Sequence, residues 1–180
     1  MGLNQSIPYG KHRISDSDID AVVSVLKSDF LTQGPRVKEF EKSFADYIGC
    51  RHAVALANGT AALHLSVLAL GLKPGEKVIT TPITFSASAN CILYAGGEVE
   101  FVDIDPDVFL MDLNQLEDKL RKGGFRGVIP VDFTGLAVNM EKIRWLADRY
   151  GCWVLEDACH ASGGSFVDSK GKTVRCGNGC

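Results

Sequence analysis

From Arg51 onward, short apolar runs alternate with stretches of helical periodicity. The runs cover residues 52–57, 77–82, 99–104, 128–132 and 153–156; several are rich in Val and Ile, and each ends at a turn or at polar residues. Continuous hydrophobicity over so few residues predicts strands buried on both faces. Between them, residues 60–70 are apolar almost all round and predict a buried helix that Gly71 ends. Residues 84–94 are rich in small side chains and stop at Gly96-Gly97. In residues 112–121 Leu113, Leu116 and Leu120 share a face, and in residues 139–150 Met140, Ile143, Ala147 and Tyr150 do the same before Gly151. Such alternation predicts an α/β fold, a mostly parallel sheet flanked by helices with right-handed crossovers.

The first fifty residues read differently. Ser15 or Ser17 can cap a helix whose apolar stripe is Ile19, Val22, Val23 and Leu26. A loop over residues 29–35 follows. A second amphipathic helix then turns Val37, Phe40, Phe44, Tyr47 and Ile48 inward, with Gly49 at its end. The expectation is an N-terminal helical arm over residues 1–50 leading into the sheet domain. At the other end, the chain passes Gly163-Gly164, Lys170-Gly171-Lys172 and Gly177-Asn178-Gly179-Cys180, which predicts a surface hairpin leading toward another strand. A sheet that stopped there would leave an edge uncovered.

Bulk properties narrow the partners. The 180 residues are 46% hydrophobic and 23% charged with a net charge of −3, and no basic run stands out, so neither nucleic acid nor a polybasic membrane contact is expected. The longest apolar stretch, residues 61–72, carries His64 and Ser66 and is too short to span a bilayer. No basic-then-apolar leader opens the chain, so a secretion signal is not expected. The six cysteines are scattered without a CxxC pair, which reads as reduced thiols in a cytoplasmic protein. His160, Cys176 and Cys180 suggest a zinc site only weakly, since a fourth ligand is missing; no metal is expected.

Three turns carry candidate chemistry. Asn58-Gly59-Thr60-Ala61-Ala62 follows a predicted strand and opens a helix, where free N–H groups and the positive helix end suit a phosphate; a plain turn and cap fits equally. It is not a Walker loop, and no GxGxxG follows the first strand, which disfavours a dinucleotide-binding domain. Glu156-Asp157-Ala158-Cys159-His160 lies at the carboxyl end of a predicted strand, where open α/β sheets gather ligands. Asp157 there can keep a pyridinium nitrogen protonated, or simply cap the next segment with His160 as a loop histidine. In Thr81-Pro82-Ile83-Thr84-Phe85-Ser86-Ala87-Ser88-Ala89-Asn90, Phe85 can lie against a flat ring and Asn90 can orient polar groups, or Phe85 can be a core residue.

In this order and spacing, the three turns resemble those of the fold-type-I aminotransferases that aminate nucleotide-linked keto sugars. Ile7-Pro8-Tyr9-Gly10, the stretch from Leu26 to Pro35, Phe101-Val102-Asp103-Ile104-Asp105-Pro106 and Ser88-Ala89-Asn90 add to the resemblance. Its nearest form is the branch that makes a UDP-linked 4-amino-4,6-dideoxy-N-acetyl-altrosamine toward pseudaminic acid. The resemblance implies pyridoxal phosphate as cofactor, with Gly59, Thr60 and Ala61 at its phosphate, Phe85 stacked on its ring, Asp157 on the ring nitrogen and His160 close by. Tyr9 and Asp29, Phe30, Leu31 and Thr32 would line the sugar-nucleotide pocket. Asn58 stands where relatives often carry serine, and Cys159 where many carry serine or alanine.

The resemblance also implies a homodimer, glutamate as amino donor, and an anchoring lysine on a Ser-Phe-His-x-x-Lys segment beyond residue 180. Lys170 and Lys172 lack that motif. Residues 51–180 are then expected to be part of the cofactor-binding large domain, lacking its last strands, with the C-terminal small domain absent and no catalytic residue of its own. The chain alone is expected to be inactive. The alternatives are a non-catalytic binder of sugar nucleotide or cofactor, and a sugar dehydratase with histidine at the lysine position.

Overall fold

The structure, a computed structural model, describes residues 11–178. Two helices lead, α1 (Asp16–Leu26) and α2 (Pro35–Ile48), followed by α3 (Gly59–Ala69), β1 (Lys77–Thr80), α4 (Ala87–Tyr94), β2 (Glu98–Phe101), α5 (Leu113–Arg121), β3 (Phe125–Val128), α6 (Met140–Tyr150), β4 (Trp153–Val154) and the hairpin strands β5 (Ser165–Val167) and β6 (Thr173–Arg175). The first four strands form a parallel sheet in the order β2-β1-β3-β4. β5 and β6 pair antiparallel apart from it.

Alternation along the two central strands sets the layers. Val78 and Ile129 join Leu63, Val67, Cys91 and Ile92 in a core under α3 and α4. Ile79 and Val128, opposite one another in register, join Leu116, Leu120, Ile143 and Leu146 under α5 and α6. Each fully buried aliphatic side chain contributes about 1.5–3 kcal/mol relative to exposure, which offsets the entropy of fixing so short a sheet. Polar caps fix the helix starts. Asp112 Oδ1 accepts from the Asn114 and Gln115 N–H groups at 2.8 and 3.2 Å, and Asn139 Oδ1 accepts from Lys142 at 3.0 Å. The edge strand β2 carries Glu98 and Glu100, which pair with Lys77 and Lys119; charges of this kind discourage another strand from adding there.

The departures from expectation have local causes. The ladder of the predicted strand 128–132 starts earlier, at Phe125, and breaks at Pro130, which has no N–H to donate; only the bridge Val131↔Asp157 continues beyond it. Gly127 lies opposite Trp153, and any Cβ there would overlap the indole, so the ring packs over bare backbone. Residues 52–56 join no strand among the described residues; the Ala55 N–H is taken instead by Glu41 Oε1 at 2.9 Å. α3 is not buried all round: Leu63 and Val67 face the core, whereas Leu65 and Leu68 are exposed.

The helical arm differs most. α1 is capped by Ser15, in a reciprocal capping box with Asp18, yet it buries no residue, and Ile19, Val22, Val23 and Leu26 are all exposed. In α2 only Ala45 and Ile48 are buried, while Phe40, Phe44 and Tyr47 are exposed. Amphipathic periodicity identifies a face that wants cover without saying that the cover lies in these residues.

Candidate functional site

The parallel sheet brings the carboxyl ends of β1, β3 and β4 side by side, and a cavity of about 210 Å³ opens just beyond them. Gly59 and Thr60 line it from the start of α3, Thr84 and Phe85 from the loop after β1, Val131 and Phe133 from the segment after β3, and Asp157, Cys159 and His160 from the segment after β4. The volume is below the range of drug-sized sites and suits one small heterocycle. All three sequence motifs therefore meet in one place.

At the α3 end, the helix ladder leaves the first N–H groups without intrahelical acceptors, and the helix dipole adds partial positive charge. Asn58 is the N-cap, and its Oδ1 accepts the Ala61 N–H at 2.9 Å. Ala61 is thus already engaged and does not line the cavity, which leaves Gly59 and Thr60 facing it. A Cβ on Gly59 would come to 3.1 Å from Cys159 Sγ, so the absent side chain lets the two turns close together.

Asp157 is 6% exposed. Ser88, fully buried on α4, donates from Oγ to Asp157 Oδ2 at 2.7 Å, and the Cys159 N–H reaches Oδ1 at 3.3 Å. The bridge to Val131 and a bond from the Asp132 N–H to the Asp157 carbonyl, 3.0 Å, fix its backbone. Its described side-chain partners are neutral donors, and a carboxylate held this way in a cavity is suited to a cationic ligand. Burial, then a hydrogen bond to Asp157 and its charge, push the Cys159 thiol up to about 12, so it stays protonated at neutral pH.

Phe85 is 69% exposed and stands at the rim, its ring free to cover a flat ligand. His160 also lines the cavity, its ring 6.3 Å from that of Phe133. The short turn Phe133–Gly135 that aims Phe133 holds Thr134 at φ 58 and Gly135 at φ 90, and a Cβ on Gly135 would lie 3.0 Å from the His160 carbonyl oxygen. Left-handed backbone at a non-glycine is a local cost that clusters at ligand sites.

Other candidates fall elsewhere. Phe30 and Leu31 line a separate groove between α1 and α2, and Asp29 and Thr32 are exposed in the same loop. Tyr9 lies outside the described residues. Asn90 is half-buried on α4 and does not line the cavity. Cys180 lies outside the described residues, and no group of three His, Cys, Asp or Glu among those described is placed to hold a metal. Leu63, Val131 and Phe133 complete the wall without having been marked by their types, since single apolar residues carry no signal of where they face. Ser88 had one: with Thr84 it makes a polar i,i+4 pair at the start of an otherwise apolar helix.

The sequence profile of the DegT/DnrJ/EryC1/StrS aminotransferase family matches residues 12–177. The UDP-4-amino-4,6-dideoxy-N-acetyl-beta-L-altrosamine transaminase of Campylobacter jejuni is 44% identical over 171 residues, which cover 93% of this chain and 44% of that protein. A DegT DnrJ EryC1 StrS aminotransferase from Brucella abortus superposes with a TM-score of 0.81 at 36% identity, covering 88% of this chain and 43% of that one. NtdA from Bacillus subtilis, solved with bound cofactor PMP, gives a TM-score of 0.74 at 36% identity over 78% of this chain and 32% of its own. The chain spans under half the length of the curated relatives it matches.

Proposed function

The chain belongs to the DegT/DnrJ/EryC1/StrS aminotransferase family, and from that premise we propose that it is the N-terminal part of a pyridoxal-phosphate-dependent enzyme that aminates the C4 ketone of a UDP-linked 4-keto-6-deoxy sugar, with glutamate as donor. The observation that carries this reading is the meeting of Gly59, Thr60, Phe85 and Asp157 around one small cavity. Their chemistry fits the cofactor: backbone donors and a hydroxyl at a helix start for a phosphate, an aromatic face for a ring, and a buried carboxylate for a ring nitrogen.

When bound, pyridoxal phosphate supplies an electron sink and carries the amino group from donor to sugar. Gly59 and Thr60 hold the phosphate with N–H groups, and the Thr60 hydroxyl adds a donor. Phe85 closes over the ring and keeps water from its face. Asp157 holds a proton on the ring nitrogen. His160 and Phe133 shape the cavity wall. The Ala61 N–H joins the phosphate only if the Asn58 side chain gives it up, so Ala61 is a secondary contact. The sugar nucleotide is assigned to Tyr9 and to Asp29, Phe30, Leu31 and Thr32. Of these, Phe30 and Leu31 line a groove apart from the cavity in this chain, and a second subunit that brings its own copy of the loop to the cavity accounts for both placements. The protein is accordingly read as a cytoplasmic homodimer, and its sugar as one on the way to pseudaminic acid; the identity to the Campylobacter jejuni transaminase supports that branch.

The test is to express the complete reading frame that contains this chain, load it with pyridoxal phosphate, and follow 2-oxoglutarate release from glutamate in the presence of a UDP-linked 4-keto sugar. A visible cofactor band bleached by borohydride, together with sugar-dependent turnover, supports the reading. Asp157→Asn is expected to lower turnover by about 10²-fold or more, the scale of losing one electrostatic partner in such sites. Cofactor binding without turnover favours the non-catalytic binder, and loss of the sugar hydroxyl without amination favours the dehydratase.

A further inference from the structure

We propose that Ser88 is a positioning residue that, with Thr84, forms a directed hydrogen-bond chain fixing the Asp157 carboxylate for a protonated ring nitrogen in the cavity. The proposal rests on the cofactor reading above.

Ser88 has one proton and three oxygens within reach: Asp157 Oδ2 at 2.7 Å, Thr84 Oγ1 at 2.8 Å and the Phe85 carbonyl at 3.3 Å. A serine on a helix commonly bonds back to the carbonyl one turn before it. Here that bond is the longest of the three, and the short contact goes to an acid, where a charge-assisted bond is about twice as strong as a neutral one. The Ser88 proton therefore goes to Asp157. Its lone pair is left to accept, so the Thr84 hydroxyl donates to Ser88. The chain runs one way, Thr84 to Ser88 to Asp157, and each donated bond polarises the next.

Burial gives the chain its consequence. Ser88 and Asp157 are 0% and 6% exposed, so water does not substitute for either bond. Thr84 lines the cavity beside Phe85, and the chain thus begins at the wall a ligand would cover and ends at the carboxylate meant for it. The Cys159 N–H on Oδ1 and Ser88 on Oδ2 leave the carboxylate little freedom to rotate.

The experiment measures binding of pyridoxamine phosphate to the complete protein at pH 7, together with the absorbance maximum of the bound cofactor, which reports protonation of its ring nitrogen, for the native protein, Ser88→Ala, Ser88→Thr, Thr84→Val and Asp157→Asn. Ser88→Ala is expected to weaken binding about 10-fold, the scale of one hydrogen bond to a charged group, and to move the maximum toward that of Asp157→Asn. Ser88→Thr restores both, and Thr84→Val moves the maximum the same way by less. A purely structural role would lower affinity and leave the maximum in place, which would overturn the proposal. So would an unmoved maximum in Thr84→Val, which decides the matter if Ser88→Ala fails to fold. A native protein that binds no pyridoxamine phosphate sinks the cofactor reading and this inference with it. A maximum shifted in Asp157→Asn but unchanged in Ser88→Ala sinks this inference alone.

Discussion

Asp132 and Asp157 are both buried carboxyls at strand ends, but only Asp157 opens on the cavity. Asp132 accepts the Val138 N–H at 2.9 Å and lies against Glu156 and Cys176. Burial, reinforced by the charge of Glu156, pushes it up to about 7. The folded protein therefore keeps a proton that the unfolded chain releases from about pH 4 upward. That contribution to stability is complete below the unfolded value and is lost as pH rises toward 7. Urea midpoints of the native protein minus those of Asp132→Asn should fall across that window, and a flat difference would show that Asp132 ionises in the fold as it does unfolded. Residue types told much at this scale: Thr60, Phe85, Asp157 and His160 stand out by chemistry and by position after predicted strands. Ser88 and Asp132 were harder to single out because their importance lies in burial and in partners from distant parts of the chain, 69 residues away for the Ser88–Asp157 bond.

Among the elements, strands and helices of the sheet region were legible because both cores are built from the periodicities seen in the chain. Boundaries shifted where one backbone group decided the matter, as at Pro130. Residues 52–56 and the Phe40, Phe44 and Tyr47 face of α2 were legible as patterns and yet mispredicted as packed, because a pattern does not name its partner. α1 has 11 residues and buries none of them. A helix that short is marginal in water, so its amides are expected to exchange with solvent far faster than those of Val78, Ile79 and Val128 in β1 and β3. Hydrogen exchange on the chain alone reads this directly, and slow exchange in α1 would mean its apolar face is covered.

For the whole molecule, many of the exposed large apolar residues lie in the first seventy positions. Phe30, Leu31, Phe40, Val54, Leu65 and Leu68 are all at least 47% exposed, on the arm, the unpaired segment and the outer face of α3. Surface of this kind is ordinarily an interface. The 180-residue chain expressed alone is expected to self-associate, read as a broad, concentration-dependent mass in light scattering after size exclusion. A monodisperse monomer with one cooperative melt would contradict that. No helix among the described residues is long and apolar enough to cross a membrane.

The hairpin also ties the arm to the body. Asn178 donates from Nδ2 to the Ile48 carbonyl oxygen at 3.1 Å, across 130 positions, and the Arg175 guanidinium lies 4.3 Å from the centre of the Tyr47 ring. A nascent chain emerges N-terminus first, so α2 leaves the ribosome long before the residues that clasp it are made. Until then the arm has its own helices, the Glu41–Ala55 contact and the packing of Ala45 and Ile48 to hold it. Its apolar side is thereby on offer throughout synthesis, to a chaperone or to the arm of a neighbouring nascent chain.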